Sequence, residues 1–260
     1  MFSKMTKMTQ ANIGPMLFCG DPHGRFAHIL RAAEDLKASA VILLGDMEAE
    51  RPLHEELEPI VDRVWLIHGN HDNDVAENWH ALWDSDLAER NVHGRVVELP
   101  NGVRLAGLGG VFREKVWHPH AGLDAKPKFH TPVDHARSVP TRDRWRGQQP
   151  LRHWSTIYPQ EIDALSMQRA DILITHEAPS YHPNGFEILD DLARALGAKV
   201  TVHGHHHDAL NSSSRWAAQG FKSFGVGLRG ITAIDADGTA TTIIQGERDV
   251  ARMNRMGAEQ

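Results

Sequence analysis

"VTVHGHHHDA", residues 200–209, places four histidines within five positions, His203 to His207, directly after an apolar run. A core strand, a polar turn and a metal site would each leave this trace. They differ in whether other parts of the chain supply partners. Four other apolar runs end the same way, in polar residues and in most cases a glycine: "MLFCGD" (16–21), "VILLGD" (41–46), "VWLIHGN" (64–70) and "ILITHEAP" (172–179). Continuous Val/Ile/Leu runs of this length read as strands buried on both faces. Between them lie helical patterns. "RFAHILRAAEDLKA" (25–38) puts Phe26, Ile29, Leu30, Ala33 and Leu36 on one face. "FEILDDLARALGA" (186–198) does the same with Phe186, Leu189, Leu192, Ala193 and Leu196, and Gly197 serves as a C-cap. The rhythm is α/β.

Two textures depart from it. Residues 95–110 read as a hairpin turning at Pro100-Asn101-Gly102, and 215–243 as β-rich pieces with a turn at Asp237-Gly238. This predicts a parallel α/β part joined to a more antiparallel part. Residues 111–160 are rich in Pro, His, Arg and Trp and weakly periodic. From Arg113 to Arg152 there are nine Lys/Arg against four Asp/Glu, in a chain whose net charge is −6. A loop this long is usually functional or disordered. Its basic residues could rim a site for an anionic substrate or simply form a solvated surface. Trp117, Trp145 and Trp154 could stack bases, but three tryptophans in one insert are more often its own small core.

Composition narrows the class. The 260 residues include one cysteine, Cys19, which excludes an internal disulfide and fits a reducing, cytoplasmic compartment. No stretch approaches the roughly 18 consecutive apolar residues of a membrane span. Residues 1–14 read as a flexible leader without the apolar core of a signal peptide, residues 15–245 as one domain carrying the 111–160 insert, and 246–260 as a C-terminal tail. The 18 histidines are the unusual entry in the composition.

The polar residues at the strand ends form a set: Asp21, His23, Asp46, Asn70, His71, His176, His205 and His207. In a mainly parallel sheet such residues gather at one edge, in the crevice where ligands bind. Oxygen and nitrogen donors without sulfur suit Mn, Fe or Zn. Eight such groups are too many for one ion and suit two that share a carboxylate.

Taken singly, each piece has an ordinary reading. Asp21 could cap a helix, Asn70-His71-Asp72-Asn73 could be a turn, and His176 could be a satisfied buried histidine. Together, "GDPHG", "GD", "GNHD", the His of "ITHEAPS" and "GHHH" stand in the order of the calcineurin-like metallophosphoesterases, over residues 21–207. The chain resembles that superfamily, in particular its small prokaryotic phosphoesterases. It departs from it after Asp46, where "GDMEAERP" has Glu48 and Glu50 but no aspartate at the usual spacing.

The resemblance implies a four-layer sandwich of two mixed β-sheets flanked by helices, and a binuclear, metal-dependent phosphoesterase. Asp21, His23 and His207 would hold one divalent or transition metal ion. Asn70, His176 and His205 would hold the other, and Asp46 would bridge them. A hydroxide between the metals would attack phosphorus in line. His71 would act on the phosphoryl or leaving-group oxygen, with Asp72 fixing its tautomer. In an extended segment His206 would point away from His205 and His207. Arg113, Lys115 and His118 are candidates for substrate binding. The substrate would be a phosphorylated small molecule, a nucleotide or a phosphoprotein, monoester or diester. Two alternatives remain at this point. One is a nuclease or cyclic-nucleotide phosphodiesterase that uses the basic insert on nucleic acid, and the other is a non-catalytic metal-binding scaffold. No membrane partner is expected, and oligomeric state is open.

Overall fold

The computed structural model describes residues 14–119 and 126–258. The expected leader lies outside the described residues, Gly14 apart, as does His120 of the basic segment. Among the described residues, ten strands form two five-stranded sheets. The apolar runs become β1 (Met16–Cys19), β2 (Ala40–Leu43), β3 (Val64–Leu66), β6 (Ile172–Thr175) and β7 (Val200–His203). The predicted hairpin is β4 (Arg95–Glu98) and β5 (Arg104–Leu108). The C-terminal β-rich region supplies β8 (Lys222–Gly225), β9 (Ile231–Ile234) and β10 (Ala240–Ile244).

The first sheet has the order β10-β9-β1-β2-β3 and the second β4-β5-β6-β7-β8. Strands β1, β2 and β3 run parallel, with β9 antiparallel to β1 and β10 antiparallel to β9. In the second sheet only β4 is antiparallel, and β5 to β8 run parallel. This corrects the expectation of a separate antiparallel part. The antiparallel pairs are distributed, two at one edge of the first sheet and one at an edge of the second, and β8 is a parallel strand.

Burial on both faces explains the continuous apolar runs. Met16, Phe18, Ile42 and Leu44 meet Leu105, Ile172, Ile174, Val200 and Val202 between the sheets. The alternating residues Leu17, Cys19, Val41 and Leu43 pack outward against Ile29 and Ala33 of helix α1 (Ala27–Asp35). On the far side Leu108 and Leu173 pack against helices that follow later in the chain, through Ile162, Leu165, Leu189, Leu192 and Leu196. The layers are therefore helix, sheet, sheet, helix. Leu36, expected on the buried face of α1, ends the helix instead and is 37% exposed.

The remaining helices are α2 (Leu53–Glu56), α3 (Ala76–Trp83), α4 (Pro132–Ser138), α5 (Pro159–Ser166), α6 (Glu187–Leu196), α7 (Trp216–Gln219) and α8 (Glu247–Ala258). The segment expected as a tail is α8, anchored by buried Asp249, which accepts a hydrogen bond from Ala209 N (3.3 Å). α6 ends as expected at Gly197, in the left-handed region at φ +71°.

The described residues of the insert pack against the domain, and its tryptophans do not form a core of their own. Trp145 and Trp154 pack edge-on against Trp79 of α3, at centroid distances of 5.8 and 5.0 Å, and Trp117 meets Phe112 at 5.5 Å. Asn73 also donates to Leu151 O. Inside the insert, His135 Nδ1 pairs with Tyr158 Oη (2.8 Å) and His153 Nδ1 with Thr156 Oγ1 (2.9 Å). The packing on Trp79 and the Asn73–Leu151 hydrogen bond staple the insert to the domain.

Trp79 is 4% exposed. Trp79→Ala should lower the unfolding free energy by about 3–5 kcal/mol, read by urea denaturation, and expose the insert to proteolysis. The histidines add a pH dependence. Burial pushes His153 down from 6.5 to about 4, with His135, Arg113, Lys115 and Arg152 adding to the effect. Between those values the unfolded chain takes up a proton that the folded chain refuses, so stability falls as pH drops through this window. The urea midpoint of His153→Asn should fall less than that of the wild type between pH 7 and 4.5.

Candidate metal centre

The turns after β1, β2, β3, β6 and β7 converge where the carboxyl ends of the two sheets meet. They bring Asp21, His23, Asp46, Asn70, His176, His205 and His207 to one place. His23, Asp46 and His207 each offer a donor atom, all within 4.8 Å of one another, and so do Asp46, His176 and His205. Asp46 belongs to both groups. Asn70 Oδ1 lies 3.3 Å from His176 Nε2. Asp21 is in neither group. Its Oδ1 accepts from His205 N (3.0 Å) and sits 4.0 Å from His176 Nδ1, while its buried Oδ2 has no hydrogen-bond partner.

Backbone geometry makes this convergence possible. Asp21, His23, Asp46, His205 and His207 have φ of +39°, +43°, +52°, +67° and +62°. Left-handed conformations at residues other than glycine cost of order 1–3 kcal/mol each and persist where the surroundings over-determine them. Residues 204–207 are thus not extended, contrary to expectation. His206 still turns away from the site, but through a kinked backbone, and stacks on His182 at 3.9 Å. Two glycines let the turns touch. A Cβ on Gly45 would strike His176 Nδ1 and stand 2.7 Å from Gly69 N, and one on Gly69 would strike Asp46 Oδ1.

The hydrogen bonds orient each imidazole. His176 Nδ1 donates to Leu44 O (2.7 Å), which aims Nε2 at Asp46 Oδ2, 3.3 Å away. His23 Nδ1 contacts Glu48 Oε2, leaving Nε2 facing His207 Nε2 at 3.1 Å. Sequence reasoning gave Glu48 no role in the site. The signal was present in Glu48 and Glu50, where the segment lacks the usual aspartate. His203 is fully buried, outside the donor groups, and bonds Tyr181 Oη (2.6 Å). Buried His68 packs on Trp83 and His93, and burial pushes the Cys19 thiol far up, leaving it inert.

The charges suit a cation. Burial alone would raise the Asp46 carboxyl, but His176 outweighs it and holds the acid well below the usual range. Burial would lower His176, and Asp46 with Asp21 raises it instead. Burial pushes His205 down to about 3 and His207 to about 4, so both imidazoles stay neutral, the form in which they ligate. Asp21 is pushed up by burial and by the nearby carboxylates of Asp46 and Asp72. The carboxylates that raise His176 form a dense, buried acidic centre, which a bound cation would balance in place of a proton on His176. An O/N donor set with an unpartnered Asp21 Oδ2 and an unpartnered His207 Nδ1 fits divalent metal.

His71 lies at the rim, its side chain 42% exposed, with its backbone N donating to Asp46 Oδ1 (2.8 Å). The expected His71–Asp72 pair is not formed. His71 Nδ1 bonds Asp74 Oδ2 (2.6 Å), whereas Asp72 accepts from the backbone N–H groups of Met47 (2.7 Å), Gly69 (2.8 Å) and Glu48 (3.1 Å). Asp72 therefore ties together the two turns that carry Asp46 and Asn70. Three residues on in the turn, Asp74 has the reach that its neighbour lacks. Of the substrate candidates, Arg113 and Lys115 line one cavity with Arg152 and His153, while His118 packs edge-on against Phe186 at 5.4 Å.

The family model for calcineurin-like phosphoesterases matches residues 14–209. The chain belongs to the calcineurin-like phosphoesterase family. Its class is that of metal-dependent phosphoester hydrolases, a family that binds divalent metals. An uncharacterized protein of Haemophilus influenzae is 39% identical over 225 residues, covering 86% of this chain and 94% of its own. The crystal structure of TT1561 from Thermus thermophilus superposes with a TM-score of 0.58 at 15% identity, covering 89% of this chain and 99% of that one. The latter likeness shows the fold. Among the described residues, no helix of this phosphoesterase is long and apolar enough to cross a membrane.

In this phosphoesterase Glu48 is expected to hold His23 for metal. Glu48→Ala should weaken Mn²⁺ binding about 10–100-fold by calorimetry, and Glu48→Gln, which keeps an acceptor, should weaken it less. Unchanged affinity in Glu48→Ala would show that the contact is incidental.

Proposed function

We propose that this chain hydrolyses phosphoesters with two divalent metal ions that share Asp46. The observation that carries the reading is the membership of Asp46 in both donor groups. His23 and His207 would complete the first position, with Asp21 beside it, and His176, His205 and Asn70 the second. When bound, two such cations supply an activated water and draw charge from phosphoryl oxygens.

The chain's own residues do the rest. Glu48 and the Leu44 carbonyl fix the tautomers of His23 and His176. Asp72 keeps the turns that carry Asp46 and Asn70 in register through its backbone hydrogen bonds. Although burial lowers His71, Asp46 and Asp74 raise it overall, so that it is better able to carry a proton near neutral pH. With Nδ1 held by Asp74, Nε2 is the nitrogen that would donate to the departing oxygen. Manganese, iron or zinc suits the donors.

A nuclease reading loses part of its basis, because Trp145 and Trp154 are committed to packing on Trp79. A scaffold that binds metal without turnover would have no use for a proton-carrying His71 at the rim.

The test is hydrolysis of monoesters, diesters and nucleotides with added Mn²⁺, Ni²⁺, Zn²⁺ or Mg²⁺. His71→Ala should keep its metal content and lose about 100-fold or more in kcat. Asp46→Ala should lose both metal and turnover. Near-normal turnover in Asp46→Ala would remove the shared-carboxylate reading.

A further inference from the structure

The basic insert contains two kinds of cation. Arg137, Arg142 and Arg146 each lie beside a carboxylate, at 3.9, 3.7 and 3.6 Å. Arg113, Lys115 and Arg152 do not. They converge on a cavity of about 310 Å³ lined also by Phe112, Glu114 and His153. Glu114 is solvent-exposed, and none of the three cations forms an ion pair with it or with any other carboxylate among the described residues. Arg113 is half-buried, donates to Ser155 Oγ (3.2 Å), and leaves its Nε buried without a partner. Burial and the neighbouring Arg152 push its guanidinium down. Like charges gathered in a concave site without an ion pair of their own repel one another, and a bound anion offsets the cost.

The cavity adjoins the metal centre. Its Phe112 wall donates a backbone N–H to Glu177 Oε1 (3.2 Å), and Glu177 Oε2 lies 3.8 Å from His205 Nε2. Arg113 also feels the field of Asp74, the partner of His71. The cavity is thus separated from the donor set by one carboxylate. Its size is at the lower end of the roughly 300–1,000 Å³ typical of small-molecule sites.

We infer that this pocket holds a second phosphoryl group of the substrate, so that the substrates are small phosphoesters carrying another phosphate away from the bond that breaks. Arginine forks suit the oxygens of a phosphate, and Lys115 adds charge without fixing geometry. The inference rests on the phosphoesterase reading for its link to turnover, but not for binding.

Adenosine 3′,5′-bisphosphate and adenosine 5′-monophosphate serve as probes, with p-nitrophenyl phosphate as the singly phosphorylated substrate. Lys115 and Arg152 are exposed, so the Lys115→Gln/Arg152→Gln double variant should fold. With chelator present, the wild type should bind the bisphosphate more tightly than the monophosphate by calorimetry. The double variant should lose about tenfold of that preference. With Mn²⁺ present, its ratio of kcat/KM for the bisphosphate over p-nitrophenyl phosphate should fall by a similar factor. Equal bisphosphate affinity in the wild type and the variant overturns the pocket, whatever the turnover. Charge-dependent binding without hydrolysis of any phosphoester supports the pocket and removes the phosphoesterase reading.

Discussion

The contact between Asp46 and His176 is the constraint on which this molecule turns. Asp46 follows a strand of the first sheet and His176 a strand of the second. Both are essentially without solvent contact, at 1% and 0% exposure. His176 reaches across to Asp46 Oδ2 with one nitrogen and to the Leu44 carbonyl with the other. Burying ionisable groups is costly unless charge is paired and hydrogen bonds are satisfied. Once that pair is buried, its neighbours must supply neutral donors or compensating charge, and the surrounding turns must come close enough to do so.

That demand explains features that otherwise look unrelated. The left-handed backbone at five donor residues and the glycines at 45 and 69 answer the same need for close approach. Asp72 spends its oxygens on backbone N–H groups of two turns rather than on an imidazole. Glu48 then orients His23 within the donor set, and Asp74 orients His71 at the rim. A rigid inner set and a more exposed outer set result. The inner set suits holding cations, and the outer set suits moving protons and meeting substrate.

The insert belongs to the same design. It is stapled to α3 by tryptophan packing, and α3 begins just beyond the turn that carries Asn70 and His71. Its basic residues divide into those neutralised locally and those left facing a cavity beside Glu177. A mobile loop could not hold unpaired cations at a fixed distance from the donor set, whereas a packed one can.

The strands buried on both faces were legible in the sequence because such strands are apolar along their length, as Met16–Cys19 and Ala40–Leu43 are. The donor residues were legible as polar endings to those runs, in an order shared with a known family. The hairpin at 95–108 was legible from Asn101-Gly102, but not which sheet it would extend, since pairing is decided by the whole assembly. Local pattern also could not distinguish Asp72 from Asp74 as the partner of His71, because the choice depends on which way a kinked turn faces. It could not reveal that Trp145 and Trp154 would find Trp79, or that Arg113 and Arg152, far apart in the chain, would share one cavity. The sequence by itself determined what kinds of group stand at the strand ends. Only the tertiary structure decided which of them touch, because contact across two sheets depends on backbone turns and packing that no local periodicity encodes.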